Sequence, residues 1–232
     1  MIIASNFKTN HTRASTKDFL ETLKAVGTTC EVRVFPPATA LDCFALPAHI
    51  KVGVQNFYPA QSGSFTGEIG AEQVEEFEIE SVLIGHSERR HLLKESTELV
   101  RQKYAFARAK DWEIIYCIGE PKEVREAGFD AVRAYVEEQL VGIDVRYERL
   151  IVAYEPVWAI GTGLSASLEQ IQETHQYIKT RLNAPLLYGG SVNVENIGAI
   201  VGLEECDGVL VGSASWKKEA FVRMLEAVKT AH

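Results

Sequence analysis

Three side chains that can move or stabilise a proton follow short apolar runs of the sequence. Lys8, His86 and Glu155 each stand within a few residues of the end of such a run. A carboxylate at the edge of an apolar core needs a partner or a shifted protonation equilibrium, which is how general bases are tuned. A carboxylate base with an imidazole and a lysine, and without a pattern of metal ligands, suits proton abstraction next to a carbonyl.

Apolar runs alternate with segments of helical period along the whole chain. The runs begin near residues 1, 32, 51, 81, 113, 150, 185 and 207. The clearest helical segments begin near residues 15, 96, 129, 167 and 217. Eight such units without a linker predict a parallel sheet closed into a (β/α)8 barrel, a single domain over residues 1–232. An open doubly wound sheet is the alternative, which the lack of a G-x-G-x-x-G after the first run disfavours.

In a (β/α)8 barrel the strand ends that carry chemistry meet at one face, and two glycine-rich turns are expected there. The turn "YGGSV" contains Gly190 and Ser191, and "VGSAS" contains Gly212 and Ser213. Glycine lets backbone N–H groups approach an anion closely, and the loops after strands seven and eight of such barrels frequently bind phosphate. The sequence therefore predicts a small sugar phosphate as substrate.

The apolar segment at 157–160 runs into Gly161 and Gly163, which indicates a loop rather than a strand. An apolar loop leaves hydrophobic surface in water unless it covers something. We therefore expect a mobile lid over the site.

Composition argues against several classes of function. The chain of 232 residues has 46% hydrophobic and 24% charged residues, which is typical of an ordered globular protein. It carries a formal charge of −8 and no Lys/Arg cluster, so no nucleic-acid partner is expected. The four cysteines are widely spaced, which predicts neither a metal site nor a disulfide framework. No apolar stretch approaches the roughly 20 residues of a membrane span, and no secretory signal precedes the first strand, so the cytoplasm is expected and a membrane partner is not.

Residue types alone leave two other functions open. An aldolase could form a Schiff base through Lys8, although this needs a neutral amine, which an adjacent carboxylate disfavours. A barrel that only binds sugar phosphate, for instance as a sensor, would need the glycine-rich turns but not Glu155, His86 and the lid together.

Six strings of the sequence resemble the motifs of the triosephosphate isomerase family, in the same order and at the corresponding strand ends. They are "SNFKTN", "GHSERR", "CIGE", "YEPVWAIGTG", "YGGSV" and "DGVLVGSAS". The resemblance runs from about residue 3 to about residue 225. It implies a TIM barrel that interconverts dihydroxyacetone phosphate and D-glyceraldehyde 3-phosphate, in glycolysis and gluconeogenesis, without a cofactor.

The resemblance also implies a role for each site residue. Glu155 would take a proton from the carbon beside the carbonyl and return it to the neighbouring carbon. His86 would hydrogen-bond the substrate oxygens, while Lys8 would offset negative charge and Asn6 would orient the substrate. This family is itself the standard example of a carboxylate base beside a neutral imidazole at a helix N-terminus, and "HSERRHLL" can begin such a helix at His86. Ser87 and Glu88 would support the site, and the phosphate would lie on the backbone of the glycine-rich turns and lid: Gly161, Gly190, Ser191, Gly212 and Ser213.

The segment at 56–68, "NFYPAQSGSFTGE", is long and aromatic for a connection between strand and helix. By the resemblance, this loop docks into a neighbouring subunit, where Thr66 reaches toward the Asn6 of that subunit. The expected assembly is therefore a homodimer.

The sequence departs from the family pattern at three places near the site. Phe7, Thr9 and His11 stand where the family usually has Trp, Met and Gly, which predicts changed packing around an intact site. Residues 164–166 read Leu-Ser-Ala where Lys-Thr-Ala is usual, and Ser213 replaces a common Gly. We expect lid closure and the backbone donor at residue 213 to survive these changes.

Overall fold

The strands of this computed structural model, which describes residues 1–160 and 165–231, form a closed parallel barrel. They are β1 (Ile2–Asn6), β2 (Glu31–Phe35), β3 (Ile50–Val52), β4 (Ser81–Ile84), β5 (Glu113–Ile118), β6 (Leu150–Tyr154), β7 (Leu186–Tyr188) and β8 (Gly208–Val211). Their order in the sheet is β3-β2-β1-β8-β7-β6-β5-β4. A parallel bridge between Val54 and Val82 joins β3 to β4. The predicted (β/α)8 barrel is confirmed, and the open doubly wound alternative is wrong.

Helices cover the outside of the barrel. They are α1 (Arg13–Lys24), α2 (Ala71–Glu75), α3 (Ser87–His91), α4 (Thr97–Ala109), α5 (Lys122–Glu126), α6 (Phe129–Leu140), α7 (Leu168–Lys179), α8 (Ile197–Val201) and α9 (Lys218–Ala231). Thr12, Ser96 and Ser167 cap α1, α4 and α7 because each side chain accepts a backbone N–H of the first turn. Between β2 and β3 the chain forms only a 3-10 turn, Ala38–Ala40. No helix in the described part of the chain is long and apolar enough to cross a membrane.

Apolar side chains fill two layers, one inside the barrel and one between the strands and helices. This explains why the strands are apolar throughout rather than alternating, because both faces are buried. The inner layer consists of Ala4, Phe35, Leu83, Ile115, Cys117, Ile151, Ala153, Leu187 and Leu210.

A buried ion pair crosses the barrel interior near the N-terminal ends of the strands. Arg33 on β2 donates from Nε and Nη2 to the two carboxylate oxygens of Glu113 on β5, at 2.6 and 3.0 Å. Ser81 donates to the same carboxylate at 3.1 Å, and Lys51 Nζ lies 3.4 Å from it. Burial alone would raise the pKa of Glu113, but the hydrogen bonds and charge of Arg33 outweigh burial and leave that pKa lowered.

Candidate active site

A cavity of about 360 Å³ opens at the C-terminal ends of the strands. Its walls bring together the predicted catalytic residues Asn6, Lys8, His86 and Glu155. The same walls contain the predicted phosphate-binding residues Gly190, Ser191, Gly212 and Ser213. A larger cavity, about 630 Å³, lies beside residues 42–52 and includes none of the predicted site residues.

Glu155 follows β6 directly and is 2% exposed. Its backbone N–H donates to Ile118 O at 2.7 Å, which continues the pairing of β6 with β5 by one residue. Its carboxylate oxygen Oε2 accepts the backbone N–H of Ser87 at 2.9 Å, and Oε1 lies 3.1 Å from His86 Nε2. The base candidate is therefore buried and already held against the imidazole candidate.

His86 is the N-cap of α3, so the predicted short helix begins at the residue that follows it. The ring nitrogen Nδ1 accepts the backbone N–H of Glu88 at 3.2 Å. A nitrogen that accepts a hydrogen bond carries no proton, so the ring is neutral in this arrangement and its proton lies on Nε2. The Nε2–H group points toward Glu155 and the cavity, where it can donate to an oxygen of a ligand.

Lys8 stands in a tight turn after β1. Its φ is 52°, in the left-handed region, and its backbone N–H donates to Asn6 Oδ1 at 2.9 Å. Its Nζ lies 2.5 Å from Glu88 Oε1, and Gln55 donates to its carbonyl at 2.8 Å. The lysine passes close to the end of β8, since a Cβ on Gly212 would lie in van der Waals contact with Lys8 Cε, at 3.4 Å.

The glycine-rich turns present unused donors. The backbone N–H groups of Gly190, Ser191, Gly212 and Ser213 donate to no protein acceptor among the described residues. Converging N–H groups without acceptors form an anion-binding concavity. Within the same described part of the chain, no group of three or more His, Cys, Asp or Glu side chains could hold a metal ion.

Two predicted features are not part of the described cavity. Gly161 and Gly163 of the expected lid, and Leu164 of its hinge, lie outside the described residues. Thr66 is exposed on the loop at 56–68.

A buried carboxylate that the sequence analysis assigned no role supports the segment at 157–160. Glu120, from the "CIGE" string, is 0% exposed. Its Oε1 accepts hydrogen bonds from Trp158 Nε1 at 3.0 Å, Tyr154 OH at 3.1 Å and Arg125 Nε at 2.9 Å. The sequence contained one signal of this role, a glutamate at the end of an apolar strand. Its three hydrogen-bond donors come from separate parts of the chain, so the sequence alone did not reveal the network. This network holds Trp158, and with it the segment at 157–160, against the barrel.

Gly189 is expected to be essential for the position of the base. A Cβ at residue 189 would lie 2.8 Å from Glu155 Cγ, so Gly189→Ala must displace the carboxylate. We expect kcat to fall by roughly 10–100-fold, because small misplacements of a reacting group carry costs of this size. Gly198→Ala on α8, where an added Cβ has no neighbour within 4 Å, is the matched control and should retain activity. Equal kinetics of the two variants would contradict this assignment.

Comparison with known proteins agrees with the geometry. A family model described as triosephosphate isomerase matches residues 1–228. A triosephosphate isomerase from a Nitratiruptor species is 52% identical over 231 residues, which cover 99% of each chain. The triosephosphate isomerase of Wolinella succinogenes is 53% identical over 232 residues, covering 98% of this chain and 100% of that one. A triosephosphate isomerase from a Sulfurovum species is 52% identical over 231 residues, with 98% and 100% coverage. From its motifs, its barrel and these matches, the chain belongs to the triosephosphate isomerase family.

Proposed function

We propose that this chain, acting as one domain over residues 1–232, interconverts dihydroxyacetone phosphate and D-glyceraldehyde 3-phosphate in glycolysis and gluconeogenesis, in the cytoplasm. One observation carries the proposal. The Glu155 carboxylate and the His86 Nε2–H group, 3.1 Å apart, share a cavity with a set of unpaired backbone N–H groups. Family membership supports the same reaction.

Substrate binding is assigned to groups that have no other acceptor or that carry positive charge. The phosphate accepts hydrogen bonds from the unpaired N–H groups of Gly190, Ser191, Gly212 and Ser213. By the resemblance, the backbone N–H group of Gly161 binds it as well. Dipoles rather than cations then hold most of the dianion, which suits a chain of net charge −8. Lys8 supplies the one cation among the cavity residues named here, and Asn6, which holds the Lys8 turn through its Oδ1, orients the substrate.

Proton transfer begins when Glu155 takes a proton from the carbon next to the carbonyl. The C–H electron pair forms the carbon–carbon double bond of an enediolate, and negative charge develops on the former carbonyl oxygen. His86 Nε2–H and Lys8 Nζ stabilise this oxygen. The hydroxyl proton on the first carbon then passes to this oxygen, and a carbonyl forms on the first carbon as Glu155 returns its proton to the neighbouring carbon.

A coupled assay with D-glyceraldehyde 3-phosphate tests the function. We expect turnover in both directions that a chelator does not reduce. Borohydride added with substrate should leave Lys8 unmodified, because Schiff-base formation needs a neutral amine and Lys8 Nζ lies in an ion pair with Glu88. A folded protein that binds phosphate but shows no turnover would contradict the proposal and favour the sensor, while a trapped Lys8 adduct would favour an aldolase.

We also propose that the chain is a homodimer in which the loop at 56–68 contacts the partner. One large apolar side chain of this loop favours an interface, since Phe65 is 42% exposed. Phe65 packs on Tyr58 at 4.1 Å between ring centroids, so the loop has a defined shape to present.

Phe65→Asp is expected to dissociate the dimer and lower kcat/KM by roughly tenfold or more, since a charge in an apolar interface core is strongly unfavourable. Sedimentation velocity and the coupled assay measure both effects on the same sample. Val141→Asp, at another exposed apolar position, is the control and should change neither. Full activity in a demonstrated monomer would refute a role for this loop.

A further inference from the structure

Stacked aromatic rings hold both ends of the turn that carries Lys8. The ring of His11 lies on the ring of Phe7, with centroids 4.0 Å apart and planes 21° from parallel. Phe19 on α1 meets both rings edge-on, at 4.8 Å from Phe7 and 5.8 Å from His11. Phe7 is fully buried, and Phe19 in turn contacts Phe221 on α9 at 5.5 Å. The turn at residues 8–10 thus begins and ends at aromatic rings, which pack through Phe19 and Phe221 into the apolar layer between the strands and the helices.

The backbone at His11 is unusual for a residue with a side chain. Its φ is 72°, in the left-handed region that favours glycine. This conformation is unfavourable for a residue with a side chain, and it persists only where contacts with the surrounding structure hold it. The ring nitrogen Nδ1 is buried and has no hydrogen-bond partner among the described residues. Stacking on Phe7 is therefore the main contribution of this ring, beside a hydrogen bond with the backbone of Trp216.

Hydrogen bonds also fix the turn, including that of the Lys8 N–H with Asn6 Oδ1 at 2.9 Å and that of Asn10 Nδ2 with Phe7 O at 3.2 Å. The N–H of Asn10 closes the turn onto Phe7 O at 3.0 Å, and Gln55 holds Lys8 O at 2.8 Å. The backbone of Lys8 is in the left-handed region, with a φ of 52°. If Phe7 or His11 shifts, this φ changes, and the side chain of Lys8 leaves the backbone in a different direction. The position of Lys8 Nζ in the cavity therefore depends on the stack at the base of the turn as well as on the ion pair with Glu88.

We propose that His11 is a positioning residue for Lys8: its ring, stacked on Phe7, fixes the turn at residues 8–10 and so the point from which the ammonium group of Lys8 enters the active site. The inference rests on the proposed function of Lys8 as the substrate-binding cation. His11 touches no substrate and acts only through that residue.

Two substitutions separate the ring from the backbone. His11→Asn removes the ring but tolerates the left-handed conformation, and His11→Phe keeps a ring that can stack on Phe7. We expect His11→Asn to lower kcat/KM by roughly tenfold, mainly through KM, because a displaced binding group costs about this much or more. His11→Phe should stay within about twofold of the wild type, since the stack remains. A normal KM in a folded His11→Asn protein would overturn the proposal, as would an equal loss in both variants.

A double-mutant cycle decides whether the effect passes through Lys8. The readout is the dissociation constant of 2-phosphoglycolate, whose carboxylate and phosphate reproduce the two charged ends of the enediolate. We expect His11→Asn alone to weaken binding of 2-phosphoglycolate. In a protein that already carries Lys8→Met it should have no further effect, because the free-energy changes of substitutions at coupled residues do not add. Full additivity would show that His11 has only a general structural role. Because this cycle measures binding, it stays informative even if the wild type shows no isomerase turnover, a result that would contradict the proposed function instead.

Discussion

Glu155→Gln is expected to lower kcat by roughly 10²–10⁴-fold, which is the contribution typical of a positioned general base. The amide has nearly the shape of the carboxylate but cannot accept the proton from carbon. Each oxygen of the buried carboxylate faces one donor, Ser87 N–H or His86 Nε2–H. In the amide, the oxygen can accept from only one of these donors, and the NH₂ group faces the other. The loss should therefore appear in the chemical step, measured as kcat in the coupled assay.

Two comparisons make this result specific to the base. Glu155→Asp keeps a carboxylate but withdraws it by one methylene, so we expect a smaller loss, roughly 10²-fold. Binding of inorganic phosphate should be unchanged in both variants, because the unpaired N–H groups lie on the turns after β7 and β8. Weakened phosphate binding equal to the loss in kcat would mean that the cavity had collapsed rather than lost its base.

Arg33→Met is expected to destabilise the fold by about 3 kcal/mol, because breaking a buried ion pair leaves a charge without compensation. Glu113 is 7% exposed and would keep only Ser81 and the longer contact with Lys51. Urea unfolding at pH 7, followed by circular dichroism, measures the change. The double variant Arg33→Met/Glu113→Leu should recover to within about 1 kcal/mol of the wild type, since apolar replacements of buried ion pairs are often neutral.

The pH dependence of these variants has a defined sign. In the wild type the folded-state pKa of Glu113 is lowered, so the pair stabilises the fold above the unfolded pKa, and this stability is lost as pH falls through the folded pKa. Without Arg33, only Ser81 and the longer contact with Lys51 oppose burial, and we expect burial to raise that pKa. Arg33→Met should therefore lose more stability at pH 7 than at pH 4. An equal loss at both values would contradict the assignment of the effect to the Glu113 charge.

Local sequence patterns predicted the strands of the barrel and its longer helices, whereas the short helices α2, α5 and α8 were not predicted. The apolar runs at 113–118 and 150–154 became β5 and β6 because both faces of each strand are covered, and the helical period that begins near residue 167 became α7, whose N-cap is Ser167. His86 and Glu155 stand at strand ends, and parallel strands bring such ends to one face. Their convergence in one cavity could thus be expected before any contact was known.

Contacts between distant segments were beyond the reach of those patterns. Arg33 interrupts an apolar strand, which signals an inward charge, but its partner Glu113 stands 80 residues away and is selected by the barrel register. The clash that an added Cβ at Gly189 would make with Glu155 depends in the same way on how β6 lies beside β7. Such features follow from the relative height of neighbouring strands, which no local period encodes.

The seam between β3 and β4 sets where the barrel wall opens first. One bridge closes it, with Val54 N–H donating to Ser81 O and Leu83 N–H donating to Val54 O, both at 2.9 Å. The wall between β5 and β6 instead pairs along the strands from Ile114 and Leu150 to Ile118 and Tyr154. An amide hydrogen exchanges through the opening reaction of lowest free energy that exposes it to solvent. The Val54 and Leu83 amides should therefore exchange with solvent deuterium well before those of β5 and β6, as the barrel unrolls from this seam while its other strands stay paired.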